Sequence, residues 1–188
     1  MSDMENKISV SQLAGCIDHT LLSATATSEN IEQLCHEAVE YGFHAVSINP
    51  RWIPLAADIL HKTNVKVGGV VSLPLGGDTT KIKAAQAKDA IFAGADEIDM
   101  VADIASIIEG DSKYLGHQLY EVLKVCRSMR PPVLLKVIIE SAALTDEQII
   151  FACRIAQDVG VDFVKTSTGM NPAGGASVEA VKLMKAMR

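Results

Sequence analysis

Two lysines and an aspartate stand where a soluble protein rarely places charge, inside β-branched apolar runs. They are Asp99 in Glu97–Val101, Lys136 in Val133–Ile139 and Lys165 in Phe163–Ser167. Alternation along a strand puts Leu134, Lys136, Ile138 and Glu140 on one face, and Phe163, Lys165 and Ser167 on another; Asp99 shares its face with Glu97. Neighbouring parallel strands lie ~4.8 Å apart, so side chains from consecutive strands can meet at hydrogen-bonding range. A purely structural reading is an ion cluster in which one aspartate neutralises two buried lysines. The chemical reading is that a buried lysine beside a second cation has a depressed pKa and supplies neutral amine near pH 7, as imine formation with a carbonyl substrate requires. Two lysines on adjacent core strands cost more desolvation than one carboxylate recovers, which favours chemistry over packing.

The elements that must position these residues alternate in type. Strands are predicted at Cys16–Thr20, Ala45–Asn49, Lys66–Ser72, Glu97–Val101, Val133–Ile139 and Phe163–Ser167. Helices are predicted at Ser28–Tyr41, Arg51–His61, Thr79–Ala93, Ser112–Met129, Asp146–Asp158 and Ser177–Met187. Thr145 to Gln148 has the spacing of a capping box, and Gly42, Gly94 and Gly160 each follow a helical stretch, where glycine is favoured. Strand–helix repetition implies an α/β fold with a parallel sheet. An open sheet covered on both faces has no place for mid-strand charges, whereas a TIM (β/α)8-type barrel has an inward face opening at its C-terminal mouth. A barrel is therefore expected, as a single domain over residues 1–188, with about six βα units of the usual eight.

Composition narrows the class. The chain has 188 residues, 48% hydrophobic and 21% charged, with a formal net charge of −6. No basic block accompanies that charge, so nucleic-acid and anionic-membrane partners are disfavoured. Met1 to Lys7 is polar, with no apolar stretch behind it. No apolar run approaches the ~18 residues of a membrane span. Cys16, Cys35, Cys126 and Cys153 are scattered without CxxC pairing. They read as thiols in a reducing cytoplasm, with no metal cluster.

Five segments, in order, carry a resemblance. They are Ile17-Asp18-His19-Thr20-Leu21-Leu22, Ser72-Leu73-Pro74-Leu75-Gly76, Gly94 to Val101, Leu134 to Glu140, and Asp162-Phe163-Val164-Lys165-Thr166-Ser167-Thr168-Gly169. Together they resemble the motifs of the deoxyribose-phosphate aldolase family, class I aldolases, over nearly the whole chain. The resemblance implies that Lys165 forms the Schiff base, and that Asp99 and Lys136 relay protons. It implies that Asp18, Ser47, Thr168 and Gly169 contact substrate. The implied reaction is reversible cleavage of 2-deoxyribose 5-phosphate to glyceraldehyde 3-phosphate and acetaldehyde, with no metal or organic cofactor. The implied partners are small phosphorylated sugars and aldehydes, and the implied assembly is a homo-oligomer. Alternatives are a related aldolase for another sugar phosphate, or an impaired homologue acting as a binding or assembly protein.

Other residues invite plainer readings. His19 reads as packing or a loop hydrogen bond, Gly68-Gly69 as close strand packing, and Met129, Met184 and Met187 as helix packing. Trp52 reads as a core or interface residue. Three departures from the family stand out. Ser47 replaces a frequent cysteine, and Met170 stands where some members have lysine. The chain also ends at Arg188, after the sixth βα unit. The resemblance then implies a C-terminally incomplete barrel, lacking the seventh and eighth units and their phosphate-binding loops. Such a chain would be a fragment or a shortened homologue.

Overall fold

The computed structural model describes residues 8–186, so Met187 lies outside the described residues. Contacts divide the chain into two compact units, Met1–Gly68 and Gly69–Arg188.

The first unit opens with a helix that the sequence reading did not anticipate, α1 (Val10–Ala14), capped reciprocally by Ser9 and Gln12. Five residues are too few to show a helical period. Strand β1 (Asp18–Leu21) leads to α2 (Ser28–Tyr41), which starts at a Thr27–Asn30 capping box and buries Ile31, Leu34, Cys35 and Ala38. That spacing is one helical face. Strand β2 (Ala45–Ile48) lies parallel to β1, with Asp18 opposite Ala45 and Thr20 opposite Ser47. A continuous helix was expected from Arg51. Instead a 3-10 turn, Pro50–Trp52, precedes α3 (Ile53–Leu60). Pro50 holds Asn49 in extended backbone, and Pro54 fits only the first turn of a helix, so α3 starts late. Strand β3 (Lys66–Val71) crosses the boundary between the units. A side chain at Gly68 would meet the Val46 carbonyl at 3.1 Å, which is the close strand packing expected there.

The second unit continues with α4 (Thr80–Phe92), β4 (Glu97–Val101), α5 (Ile104–Glu109), α6 (Ser112–Arg127) and β5 (Leu134–Ile138). After it come α7 (Asp146–Val159), β6 (Phe163–Lys165) and α8 (Val178–Lys185). The short α5, started by the Asp103 side chain on the Ser106 amide, was not foreseen from sequence. The Thr145–Gln148 capping box is present as expected. Between β3 and α4, Gly76 adopts φ +68 and lies so close to the Ala102 carbonyl that an added Cβ would sit 2.0 Å from it. Only glycine serves there.

Strand order follows chain order, β1-β2-β3-β4-β5-β6. A doubly wound sheet reverses at a switch point. No reversal occurs here, so the fold is α/β of the TIM-barrel type. Two clamps, the first buried and the second half-buried, set the strands that matter most. Lys83 of α4, with no solvent exposure, donates to the Val101 carbonyl and to Gln118 Oε1, each at 2.8 Å. Gln118 Oε1 also accepts from the Asp103 amide at 3.0 Å, tying the end of β4 to α4 and α6. Arg127 of α6 reaches Asp162 Oδ1 at 2.8 Å and the Val133 carbonyl at 3.2 Å, while Asp162 Oδ2 accepts from the Leu135 amide at 2.8 Å. This fixes the entry of β6 against that of β5.

Candidate active site

Register decides which side chains can meet. Asp99 of β4 lies opposite Lys136 of β5, and Lys136 opposite Phe163 of β6. Lys165 is opposite Ile138, two residues further along, and so shares the face of Lys136. Its long side chain reaches back, placing Nζ 2.6 Å from Asp99 Oδ2. The other Asp99 oxygen is 3.8 Å from Lys136 Nζ. The structure thus brings Asp99, Lys136 and Lys165 together.

It also adds a fourth member. Glu97 Oε2 is 2.5 Å from Lys136 Nζ, and both groups are buried. The structural reading in which a single aspartate answers two lysines undercounts the carboxylates, because Glu97 faces Lys136 alongside Asp99. Lys136 is held chiefly by Glu97, which leaves Asp99 turned toward Lys165. The signal for Glu97 was its shared face with Asp99 in β4. What sequence could not supply was the depth at which the Lys136 amine settles.

Exposure separates the two lysines. The Lys165 side chain is 31% exposed, against 8% for Lys136 and 2% for Asp99. The Lys165 amine is thus the solvent-accessible one of the two, with a buried carboxylate directly behind it.

Beyond Lys165 the chain leaves β6. Thr168 is half-buried, and its hydroxyl donates to Glu140 Oε2 at 2.5 Å. Gly169 is exposed, with φ +76. Asp18, half-buried on β1, and Ser47, buried on β2, belong to the first unit. There too His19 Nε2 lies 2.8 Å from Glu37 and packs on the Phe43 ring at 5.1 Å, the structural role anticipated for it. Trp52 is half-buried beneath the Arg51 guanidinium, 4.8 Å from its ring. Met129 and Met184 are half-buried.

Known proteins resemble the chain in sequence and, where solved, in fold. The family model of the DeoC/LacD family aldolases matches residues 13–187. The deoxyribose-phosphate aldolase of Thermoanaerobacter pseudethanolicus is 47% identical over 173 residues, which is 92% of this chain and 77% of that protein. That of Aciduliprofundum boonei is 47% identical over 94% of this chain and 78% of its own length. The tetrameric deoxyribose phosphate aldolase of Aeropyrum pernix superposes with a TM-score of 0.86 at 28% identity, covering 95% of this chain and 74% of that one. The family model covers nearly the whole chain, and the first two relatives match it at high identity over most of their own length. The chain belongs to the DeoC/LacD family of aldolases.

Proposed function

We propose that the protein is a deoxyribose-phosphate aldolase of class I, cleaving 2-deoxy-D-ribose 5-phosphate to acetaldehyde and glyceraldehyde 3-phosphate through a Schiff base on Lys165. The observation that carries this reading is the 2.6 Å contact between Lys165 Nζ and a nearly fully buried Asp99. The Lys165 amine, having passed a proton to Asp99, attacks C1 of the open-chain sugar. The resulting carbinolamine loses its hydroxyl as water, protonated from the Asp99 carboxyl, and an iminium ion forms. Asp99, a carboxylate again, takes the C3 hydroxyl proton and later returns it to C2; the C2–C3 bond breaks, and its electron pair flows to the iminium nitrogen. Glyceraldehyde 3-phosphate leaves, and an enamine remains. Protonation at C2 restores the iminium, and water then releases acetaldehyde and regenerates Lys165. The water lost on forming the imine is returned at hydrolysis, so no oxidant or reductant is consumed.

In this scheme Asp99 moves protons at the Lys165 nitrogen, the carbinolamine oxygen, the C3 hydroxyl and C2. Lys136, held by Glu97, keeps the far oxygen of Asp99 in a positive field. Thr168 and Gly169 lie beyond the end of β6, where the rest of the sugar phosphate would extend. Asp18 and Ser47 are assigned to substrate contact by their motif positions alone. The whole of residues 1–188 acts as one aldolase domain, and it works as a homo-oligomer, a state supported by the tetrameric Aeropyrum pernix relative.

A cytoplasmic setting is supported by the thiols. Cys35, Cys126 and Cys153 are buried and unpaired, and burial pushes the Cys126 thiol up to about 12. Among the described residues, no helix is long and apolar enough to cross a membrane. The test is a coupled assay for glyceraldehyde 3-phosphate release from 2-deoxyribose 5-phosphate. Wild type should turn over, and Lys165→Ala should lose at least about 10³-fold, the scale of a deleted covalent nucleophile. A Lys165→Ala protein with normal turnover would overturn the proposal.

A further inference from the structure

Glu140 closes β5 in an unusual state for an acidic residue. It is only 5% exposed, and its backbone has φ 55 and ψ 58, the left-handed region that costs every residue except glycine. Glycine would relieve that backbone, and an apolar residue would avoid burying a charge. What the glutamate obtains instead is a set of bonds to one neighbour. Its Oε2 accepts the Thr168 hydroxyl at 2.5 Å, and both carboxylate oxygens face the Thr168 amide at 3.4 Å. The Thr168 Oγ1 in turn accepts from the Met170 amide at 3.1 Å.

The residues on either side hold the same segment by backbone alone. The Ile139 amide donates to the Lys165 carbonyl at 3.1 Å, and the Ser141 amide to the Thr166 carbonyl at 2.7 Å. Residues 139–141 therefore grip Lys165, Thr166 and Thr168, and through Thr168 also Met170. Within the gripped stretch, Ser167 Oγ is buried without a hydrogen-bond partner among the described residues. An orphaned buried hydroxyl in a native fold calls for a reason, and an incoming substrate oxygen would satisfy it.

We propose that Glu140 is a positioning residue for substrate binding: through Thr168 it sets the segment that follows Lys165 so that the sugar-phosphate chain is held there, without taking part in imine chemistry. The proposal rests on the Schiff-base aldolase reading above. The Lys165 amine is placed by its strand and by Asp99, neither of which Glu140 touches. Loss of the Glu140 carboxylate should therefore weaken binding of the long substrate and leave the amine reactive.

The experiment compares the full chain with Glu140→Gly, which keeps the left-handed backbone without strain, and Glu140→Gln, which keeps the shape and loses the charge. Three readouts are taken: KM and kcat for 2-deoxyribose 5-phosphate, labelling of Lys165 by acetaldehyde with borohydride, and amide exchange at Thr168 and Met170. Both variants should raise KM by about tenfold or more with kcat and labelling rate within about twofold, the signature of lost binding rather than lost chemistry. Exchange at the two amides should quicken. Thr168→Val alone should raise KM at least as much as either Glu140 variant, because the Glu140 effect runs through Thr168. A wild-type KM and unchanged exchange in both variants would overturn the proposal, as would labelling that falls in step with turnover. Wild type that fails to label at Lys165 would overturn the aldolase reading and this proposal with it. Wild type that labels, beside variants indistinguishable from it, would overturn this proposal alone.

Discussion

Lys165 and Lys136 share a face and an acidic neighbour, and what distinguishes them is depth. Lys165 is half-buried with its amine open to solvent, and Lys136 is buried against Glu97. Two substitutions separate the roles of the carboxylates. Asp99→Asn keeps the shape but cannot accept the Lys165 proton, so turnover should fall by about 10²–10⁴-fold, the range for a lost acid–base group. KM should change much less, and steady-state kinetics would show the split; a folded variant with near-normal kcat would remove Asp99 from the relay. Glu97→Gln removes the carboxylate nearer to Lys136 and leaves the Asp99 oxygen at 3.8 Å. Removing one partner of a buried pair should cost on the order of 3 kcal/mol of stability, read by urea unfolding. Alternation was enough to put Asp99, Lys136 and Lys165 on facing positions from sequence, because the period of a strand is fixed by its backbone. The pairing of Glu97 with Lys136 was not legible, because it depends on how a flexible side chain fills the space between strands.

The elements divide the same way. Strand β4 and helix α2 coincide with the sequence reading at both ends; α2 has a capping box and a closing glycine. Strands β5 and β6 were read too generously, and β1 was read two residues early at its start and one short at its end. Thr166 shows why: its carbonyl still accepts from Ser141, but the chain has already left the ladder. Short α1 and α5 lacked a period to recognise. Lys83, inside α4, was equally illegible, since a lone lysine in a helix reads as solvated. Its burial pulls the amine down from 10.5 to about 8. Between those pH values the unfolded chain binds the proton and the folded one does not, so stability rises with pH across this window and is lower below it. The difference in unfolding free energy between wild type and Lys83→Met should therefore shift in favour of wild type by about 3 kcal/mol from pH 8 to pH 10.5. A difference that stays flat with pH would mean that burial does not lower the Lys83 pKa.

At the scale of the whole molecule, family membership rests on a match from residue 13 to residue 187, and the chain spans 77% of the Thermoanaerobacter pseudethanolicus relative. Several large apolar side chains of the second unit stand in water, among them Leu75, Phe92, Phe163 and Val178. That much exposed apolar surface is a feature of interfaces, and it agrees with the proposed homo-oligomer. Sedimentation should show a species heavier than the 20.1 kDa chain, and a monodisperse monomer at micromolar concentration would contradict it. The barrel type was legible from the polar residues inside the strands, because they need an inward face to occupy; the division into two units left no trace in the sequence, since β3 runs through it without a linker. The central claim is that one lysine of this chain forms an imine, and trapping tests it most directly. Protein incubated with acetaldehyde and borohydride, then digested and mapped by mass spectrometry, should carry a two-carbon adduct at Lys165, and Lys165→Ala should carry none. An adduct that maps to Lys136, or that persists in Lys165→Ala, would contradict the account.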